Sequence, residues 1–319
     1  MNNRPKHLQY RRNIYKKNRT KAIAVIIAVA LVVVFILFLI IGNALHKKTS
    51  GDEPSDDNPT ETETDGKVNP LPSAAAVGAY ALPLLEDGSS FSSRLSAIPE
   101  GAEAVCINLN TTDGTLCYRS ELSSEFSFLK YASDASSLSG AISSINDREL
   151  YASALLHVPS FALEDDLARE IYLTGWCAVA VEAIRAGADD CLIKTASAGS
   201  EEVDKLCALA DLIHGIEKDA VIGIVIPEDV LSASNSEVLI SKLSGSFNYL
   251  ALNATGAKED EDVGVYIETR VAQMQMQLIY YKMRVLLPTA EDEATMQSYI
   301  DSVKKYNAPS WQFMPDKIQ

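Results

Sequence analysis

The sequence is poor in the residues on which metal, redox and sugar-stacking sites usually depend. It contains five Cys and four His among 319 residues, and none forms a Cys-x-x-Cys or a mixed Cys/His spacing typical of a zinc site. Aromatic residues make up 7% of the chain and include two Trp, which leaves few rings for stacking against a sugar. We therefore expect no metal ion and no cofactor.

Acidic residues are missing from the first 50 positions. That segment holds ten Lys or Arg and carries +10, whereas the whole chain carries −15, which leaves −25 for residues 51–319. Because a surface with this much negative charge repels nucleic acid at close range, we expect no nucleic-acid partner. The basic residues at the N-terminus are better explained as a membrane topology signal, because an apolar segment follows them directly.

Charge of either sign is missing from residues 22–45, and residues 22–41 are almost wholly Ala, Ile, Val, Leu and Phe. About 20 such residues, at about 1.5 Å each in a helix, cross a hydrocarbon core of about 30 Å. Eight Lys or Arg precede this segment and two follow it, so the positive-inside rule places the N-terminus in the cytoplasm. A cleaved signal peptide is the alternative. Gly42-Asn43-Ala44 would be its cleavage site, although the apolar run exceeds a usual signal core.

The sequence thus predicts four parts. A basic cytoplasmic tail spans residues 1–21, a transmembrane helix in the lipid bilayer spans 22–45, and an extracellular domain spans 74–319. Between them, residues 46–73 are rich in Asp, Glu, Thr, Ser and Pro and hold little that a core would bury, which is typical of a disordered spacer. The protein is expected at the cell membrane, with a single span.

Beyond residue 73, short apolar runs alternate with longer helical patterns. The predicted strands are 77–84, 104–110, 151–158, 190–195, 220–227, 248–254, 283–289 and 310–314. The predicted helices are 91–98, 122–145, 163–186, 201–216, 236–243, 262–282 and 293–306. Nearly continuous apolar strands are typical of parallel sheets covered on both faces. Length and rhythm predict a (β/α)8 TIM-like barrel whose eighth helix is missing, with an open doubly wound sheet as the alternative.

In such a barrel, functional side chains cluster where the strands end. The strand ends carry these polar residues: Asn108, Asn110, His157, Ser160, Lys194, Thr195, Glu228, Asp229, Asn253, Thr255, Thr289 and Asp316. Glycoside hydrolysis needs two carboxyl groups about 5 to 9.5 Å apart. Glu228 and Asp316 are the weak candidates for that pair, although Glu228 follows Pro227 and would equally suit an exposed helix start.

Several other residues allow two interpretations. His157 fits a buried or rim histidine better than a catalytic base. Lys194 at a strand end would suit a Schiff base or a phosphate contact, but no Gly-rich loop lies nearby. Trp311 could line the mouth of the barrel, whereas Trp176 suits a helical core position. The cysteines suit small buried core residues, and a disulfide between Cys106 and Cys117 across a hairpin is the alternative.

Three stretches carry a resemblance to a known family. AVCINLNTTDGTLCYRSEL (104–122), AGADDCLIKT (186–195) and APSWQFMP (308–315) are similar to strands of a bacterial family of glycoside hydrolase-like barrels. That family typically has Asp where this chain has Asn108, Lys where it has Asn110, and an acid where it has Lys194. Tyr118-Arg119-Ser120 and Trp311 match the family pattern.

The resemblance implies a barrel that has lost the family's acids while keeping its frame. A non-catalytic pseudoenzyme that binds a cell-envelope glycan or a protein at the cell surface is the leading hypothesis. Its expected ligand-binding residues are Asn108, Asn110, His157, Lys194, Asn253 and Trp311. The alternatives are an active glycoside hydrolase acting on envelope polysaccharide through Glu228 and Asp316, and a structural envelope protein.

Overall fold

The computed structural model describes residues 77–82, 84, 88–159, 165–195, 199–256, 262–276, 282–290, 292–305 and 308–314. These residues belong to one compact unit, Asp65–Gln319. The predicted tail, transmembrane segment and spacer lie outside the described residues, as does Asp316. Within the described ranges, no helix combines the length and the apolar character that crossing a bilayer requires.

Eight parallel strands close into a barrel, which confirms the predicted fold class. The described residues form ten strands, of which β3 and β4 lie outside the barrel. In chain order they are β1 Gly78–Leu82, β2 Ala104–Asn108, β3 Thr115–Tyr118, β4 Lys130–Ser136, β5 Tyr151–Val158, β6 Asp190–Thr195, β7 Ile222–Val225, β8 Tyr249–Asn253, β9 Met283–Pro288 and β10 Ser310–Met314. The order around the barrel is β1, β2, β5, β6, β7, β8, β9 and β10. Because β1 pairs with both β2 and β10, the sheet has no free edge and the open-sheet alternative is wrong.

The helices surround this barrel. They are α1 Gly88–Ser96, α2 Leu122–Glu125, α3 Leu138–Asn146, α4 Asp166–Arg185, α5 Ser200–Ile216, α6 Glu228–Ser232, α7 Ser236–Ser246, α8 Val263–Met276 and α9 Glu293–Lys305. The long helix α4 begins where the side chain of Asp165 accepts a hydrogen bond from the backbone N–H of Leu167. Such a cap satisfies one of the N–H groups that have no partner within the helix.

The predicted single helix over residues 122–145 is wrong. The segment instead forms the short helix α2, the strand β4 and the start of α3, and β4 pairs in parallel with β3 as a separate two-stranded sheet. Ser137 explains the late start of α3, because its hydroxyl accepts a hydrogen bond from the backbone N–H of Gly140. Serine competes with the backbone for hydrogen bonds and therefore favours a cap over a helix interior.

The hairpin after β2 has a different register from the one that a disulfide would need. The backbone N–H of Cys117 donates to the carbonyl oxygen of Leu109 at 2.8 Å, so Cys117 lies opposite Leu109 and not opposite Cys106. Both cysteines are buried and free. Burial raises the pKa of each thiol to about 12, which keeps both thiols protonated and poorly reactive.

Candidate functional site at the barrel mouth

Two separate apolar clusters identify which side chains point into the barrel. The larger cluster lies between the strands and the helices. The smaller one fills the interior and consists of Cys106, Leu155, Leu192, Val225, Tyr249, Ala251, Leu286 and Met314. Since side chains alternate between the two faces of a strand, residues two positions from an interior member also face the interior.

The end of the barrel at which the strands begin is closed by a buried ion pair. Arg284 on β9 donates from Nη2 to Oδ2 of Asp190 on β6 at 2.9 Å, and both side chains are fully buried. The hydroxyls of Ser153 and Tyr249 also donate to this carboxylate, at 2.5 and 3.1 Å. The Arg284 guanidinium further lies 4.4 Å from the centre of the Tyr249 ring.

These contacts satisfy the Asp190 carboxylate from several sides. Tyr151 adds a hydroxyl at 3.2 Å, and burial raises the pKa of Tyr249 well above its usual value, so this phenol stays a donor. A buried charge is tolerated only when it is paired and hydrogen-bonded. The network therefore fills the interior with structural polar groups, and a ligand has to enter from the opposite end.

At the end of the barrel where the strands end, four predicted site residues face the interior. Asn108, His157, Lys194 and Asn253 each lie two positions after a member of the interior cluster, at or near the ends of β2, β5, β6 and β8. We call these four residues the mouth cluster. His157 and Lys194 are paired in the register of β5 with β6, and β2 is the other neighbour of β5. Three of the four residues therefore lie on adjoining strands.

His157 is held in place through its backbone. The side chain of Asn110 accepts from the His157 N–H at 2.8 Å and donates to the His157 carbonyl oxygen at 2.6 Å. Only 5% of His157 is exposed, and its Nε2 has no hydrogen-bond partner among the described residues. Burial, with a smaller contribution from the charge of Lys194, lowers the pKa of His157 to about 4. The imidazole is therefore neutral near pH 7.

Lys194 supplies the positive charge of the mouth cluster. Burial lowers its pKa from the ordinary lysine value, because the ammonium loses part of its hydration. No salt bridge joins Lys194 to an acid within the part of the chain that the structure describes. Its charge contributes to the lowered pKa of His157, and that imidazole, neutral near pH 7, does not balance it.

The two asparagines of the mouth cluster differ in what they can still bind. Asn108 is 2% exposed, and its Oδ1 has no hydrogen-bond partner among the described residues. Asn253 already uses its Oδ1, which accepts from the Thr255 backbone N–H at 3.2 Å and from the Thr255 hydroxyl at 2.6 Å. Asn108 is therefore the better placed of the two to accept a hydrogen bond from a ligand.

Two further predicted residues have other roles or positions. Asn110 is fully buried and bonded to the backbone of β5, so it supports the site and is not free to contact a ligand. Trp311 packs in the outer cluster, with its ring centre 5.6 Å from that of Tyr80 and 5.2 Å from that of Phe313. Gln312 and Met314 on the same strand face the interior instead. The expectation that Trp311 lines the mouth is therefore corrected.

Of the two weak catalytic candidates, the structure describes Glu228 and not Asp316. Glu228 begins α6, is paired with Arg270 of α8, and lies 3.5 Å from the Tyr266 hydroxyl. Its side chain is 58% exposed, as the helix-start alternative predicts. Asp316 lies outside the described residues. Along the barrel strands that are described, Asp190 is the carboxylate on the interior face, and it lies at the closed end.

Away from the mouth cluster, the described residues form a groove on the outside of the barrel but no metal site. The described residues contain no group of three or more His, Cys, Asp or Glu that could hold a metal ion. A shallow groove of about 420 Å³ lies outside the barrel beside Tyr118, Arg119, Ser137 and Glu182. Its carboxylate is already occupied, since Tyr118 and Ser120 each donate to Glu182 Oε2 at 2.8 Å.

Comparison with known proteins places the fold but not the function. No protein-family model and no curated protein matches the sequence. The spore cortex-lytic enzyme SleL of Bacillus megaterium QM B1551 matches with a TM-score of 0.52 and 7% identity, over 75% of this chain and 70% of that chain. The chain shares the TIM-barrel fold. At this identity the likeness to SleL shows nothing beyond the fold.

Two other solved structures have TM-scores of 0.48. The barrel overlaps D-psicose 3-epimerase from Clostridium cellulolyticum H10 at 8% identity, over 76% of this chain and 86% of that chain. It also overlaps active domain 2 of chitinase from Pyrococcus furiosus at 11% identity, over 77% of this chain and 84% of that chain. Likenesses this distant carry no functional argument, so the mouth cluster itself has to supply one.

Proposed function

We propose that this chain is a membrane-anchored cell-surface barrel that binds a cell-envelope glycan without hydrolysing it. The observation that carries the proposal is the mouth cluster. Asn108 and His157 are both almost fully buried, and each presents a polar atom without a partner among the described residues. Buried polar atoms without partners are uncommon, because leaving one unsatisfied costs about 1 to 3 kcal/mol.

A sugar suits such a site because its hydroxyl groups both donate and accept hydrogen bonds. The Oδ1 of Asn108 accepts only, whereas Nε2 of a neutral imidazole either donates or accepts, according to its tautomer. The interior beneath them is apolar at Leu155 and Leu192, and so suits the carbon-bound face of a sugar ring. A few fixed polar groups in apolar surroundings are typical of small-ligand binding.

Glycoside hydrolysis is disfavoured by the charges at the mouth. A hydrolase needs one carboxyl group to protonate the leaving oxygen and a second to act as nucleophile or base. Lys194 occupies a strand end where the glycoside hydrolase-like family that this sequence resembles has an acid. An ammonium cannot replace a carboxylate nucleophile. The rim carboxylate of Glu228 is engaged by Arg270. These features support binding without turnover.

The anchoring part of the proposal rests on residues 1–73. The basic tail, the uncharged segment 22–45 and the acidic spacer together favour a single-pass anchor that holds the barrel outside the membrane. An extracellular barrel joined to its anchor by the acidic spacer would reach glycans of the cell envelope. Glycan binding and the extracellular location are tested by separate experiments.

The test of function is an assay of cleavage. Full-length chain in detergent is incubated with isolated envelope polysaccharide, and both retention on the polysaccharide and release of new reducing ends are measured. We expect retention, with release no greater than in a blank without protein. Release that Glu228→Gln abolishes and Glu237→Gln preserves would establish the rival hydrolase. Glu237 is the matched control because it is an exposed acid near the start of α7.

A further inference from the structure

We propose that the sugar recognised at the mouth is acidic, and that one carboxylate of the ligand pairs with the ammonium of Lys194 while neighbouring hydroxyls bond to Asn108 and His157. This inference rests on the proposed glycan binding and adds the chemical class of the ligand. It concerns three side chains on the adjoining strands β2, β5 and β6.

The first support is the incomplete charge balance at Lys194. Its side chain faces the interior two residues after Leu192, is partly buried, and forms no salt bridge with a described acid. Partial burial of an ammonium costs free energy because the group loses hydration, and the lowered pKa of Lys194 reflects that cost. A bound carboxylate would supply the missing negative charge and strengthen the hydrogen bond.

The second support is the state of the other charged groups along the barrel. Asp190 and Arg284 neutralise each other at the closed end, and Glu228 and Arg270 pair at the rim. Neither pair leaves a full charge to balance Lys194. Asp229, the other described acid at the start of α6, is exposed and forms no recorded salt bridge with Lys194. The neutral His157 adds none, so the mouth cluster contributes one positive charge.

One positive charge matches one carboxylate better than it matches a doubly charged phosphate. A phosphate dianion would leave a negative charge uncompensated inside a protein whose net charge is already −15. The acidic surroundings also mean that the affinity for an anion has to come from the mouth itself. The ligand class is therefore a saccharide with one carboxylate on the bound unit.

The third support is the geometry of the uncharged partners. Asn108 is one strand from His157, and His157 is paired in register with Lys194. The Oδ1 of Asn108 requires a donor, which a sugar hydroxyl supplies and a carboxylate does not. A ligand that carries both hydroxyls and a carboxylate would satisfy the whole group, whereas a simple carboxylate would leave Asn108 without a partner.

The experiment compares two probes that differ in the carboxylate alone. Full-length chain in detergent is titrated by calorimetry with an oligosaccharide of galacturonic acid, and with the same oligosaccharide after its carboxyls are reduced to primary alcohols. We expect the acidic probe to bind about tenfold more tightly or better. Lys194→Met should remove this difference, whereas Lys218→Met should keep it. Lys218 is an exposed lysine just before β7, at the closed end of the barrel.

Each outcome decides a different claim. Equal binding of the two probes by the wild type would overturn the acidic-sugar inference and leave glycan binding intact. Binding of neither probe, together with no retention on envelope polysaccharide, would overturn both proposals. Displacement of the acidic probe by inorganic phosphate at equal concentration would show a general anion site and would also contradict the inference. The comparison of probes on the wild type needs no variant, so a misfolded Lys194→Met protein does not affect it.

Discussion

At the scale of single residues, His157 contributes both to the packing of the barrel and to the proposed binding site. Its backbone is fixed by Asn110, and its ring is buried at the mouth with Nε2 unpartnered. A histidine that is neutral when folded and free to protonate when unfolded makes the stability of the protein depend on pH. This dependence can be separated from that of the many surface carboxylates by a single substitution.

The pKa of His157 is about 4 in the folded chain, compared with 6.5 for an unperturbed histidine. Between these two values the unfolded chain binds a proton at this residue that the folded chain does not bind. The free energy of unfolding should therefore decrease as pH falls from 7 to 4, by up to about 3 kcal/mol from this residue. Urea unfolding of wild type and His157→Gln at several pH values measures the difference.

His214→Gln is the control for this experiment. His214 is a half-buried histidine near the end of α5. Its Nε2 lies 3.2 Å from the Ala220 carbonyl oxygen and 3.2 Å from Asn248 Oδ1. We expect the His157 variant to lose part of the pH dependence of the wild type, and the His214 variant is the reference for removal of a histidine elsewhere in the barrel domain. Identical slopes for all three proteins would mean that His157 is accessible to protons in the folded state.

The sequence predicted the barrel strands, but it did not show which side chains on each strand point into the barrel. Both faces of a parallel barrel strand are buried, so apolar periodicity does not distinguish the inner from the outer face. The signal that could have done so is the spacing of polar residues. Ser153 and His157 have the same parity on β5, as do Asp190 and Lys194 on β6. On β10, Gln312 lies two positions before the interior residue Met314 and so faces inward, whereas Trp311 faces outward.

The ion pair of Asp190 with Arg284 was the residue contact that the sequence did not predict. The two residues are 94 positions apart and lie on strands that are not neighbours in the barrel. Each looks like an isolated polar residue at the start of an apolar strand. Only closure of the barrel brings the two charges within 2.9 Å, and closure depends on all eight strands together.

At the scale of elements, the strands were predictable because each is a short apolar run. The strands β5, β6 and β10 have the predicted bounds, and the other barrel strands lie within the predicted ranges. The helix predicted over residues 122–145 failed because serines and small residues give no decisive period there. Its Phe126 and Phe128 pack instead beside α4, with ring centres 6.0 Å apart.

The strand β7 depends on a glycine. A Cβ atom at Gly223 would overlap the ring of Tyr249 on the neighbouring strand β8. Tyr249 in turn donates to Asp190, so a displaced ring would disturb the ion-pair network. We expect Gly223→Ala to lower the free energy of unfolding by about 1 to 3 kcal/mol or more, as overpacking of a core does. Thermal unfolding of the full-length chain measures the effect.

Gly245→Ala is the matched control for the overlap. Gly245 lies in α7, and a Cβ atom there would meet nothing within 4 Å. Alanine is more stable than glycine in a helix by about 1 kcal/mol, so this variant should unfold at the same temperature as the wild type or slightly higher. If Gly223→Ala were as stable as Gly245→Ala, the ring of Tyr249 would not be fixed against Gly223.

At the scale of the whole molecule, the acidic barrel domain and the basic N-terminus have opposite charge. We propose on that basis that the N-terminus is cytoplasmic and the barrel is extracellular. Protease added to intact cells should remove the chain beyond residue 50 while an N-terminal tag stays with the membrane fraction. Full protection of the barrel would contradict this topology. Release of an intact barrel without its N-terminal tag, before any protease is added, would indicate a cleaved signal peptide instead.

The central claim is that a glycan binds at the mouth of the barrel, through side chains that do not cleave it. The most direct test is the affinity of full-length wild type, Asn108→Leu and Asn146→Leu for isolated envelope polysaccharide. Asn108→Leu removes the buried acceptor at the mouth, and Asn146→Leu changes an exposed asparagine at the end of α3, on the side where the barrel strands begin.

We expect Asn108→Leu to weaken binding by about tenfold or more, because a hydroxyl of the ligand would lose its partner in a buried site. Asn146→Leu should bind as the wild type does, and circular dichroism should show that both variants are folded. Equal affinity of wild type and a folded Asn108→Leu variant would contradict the claim that the mouth of the barrel is the binding site.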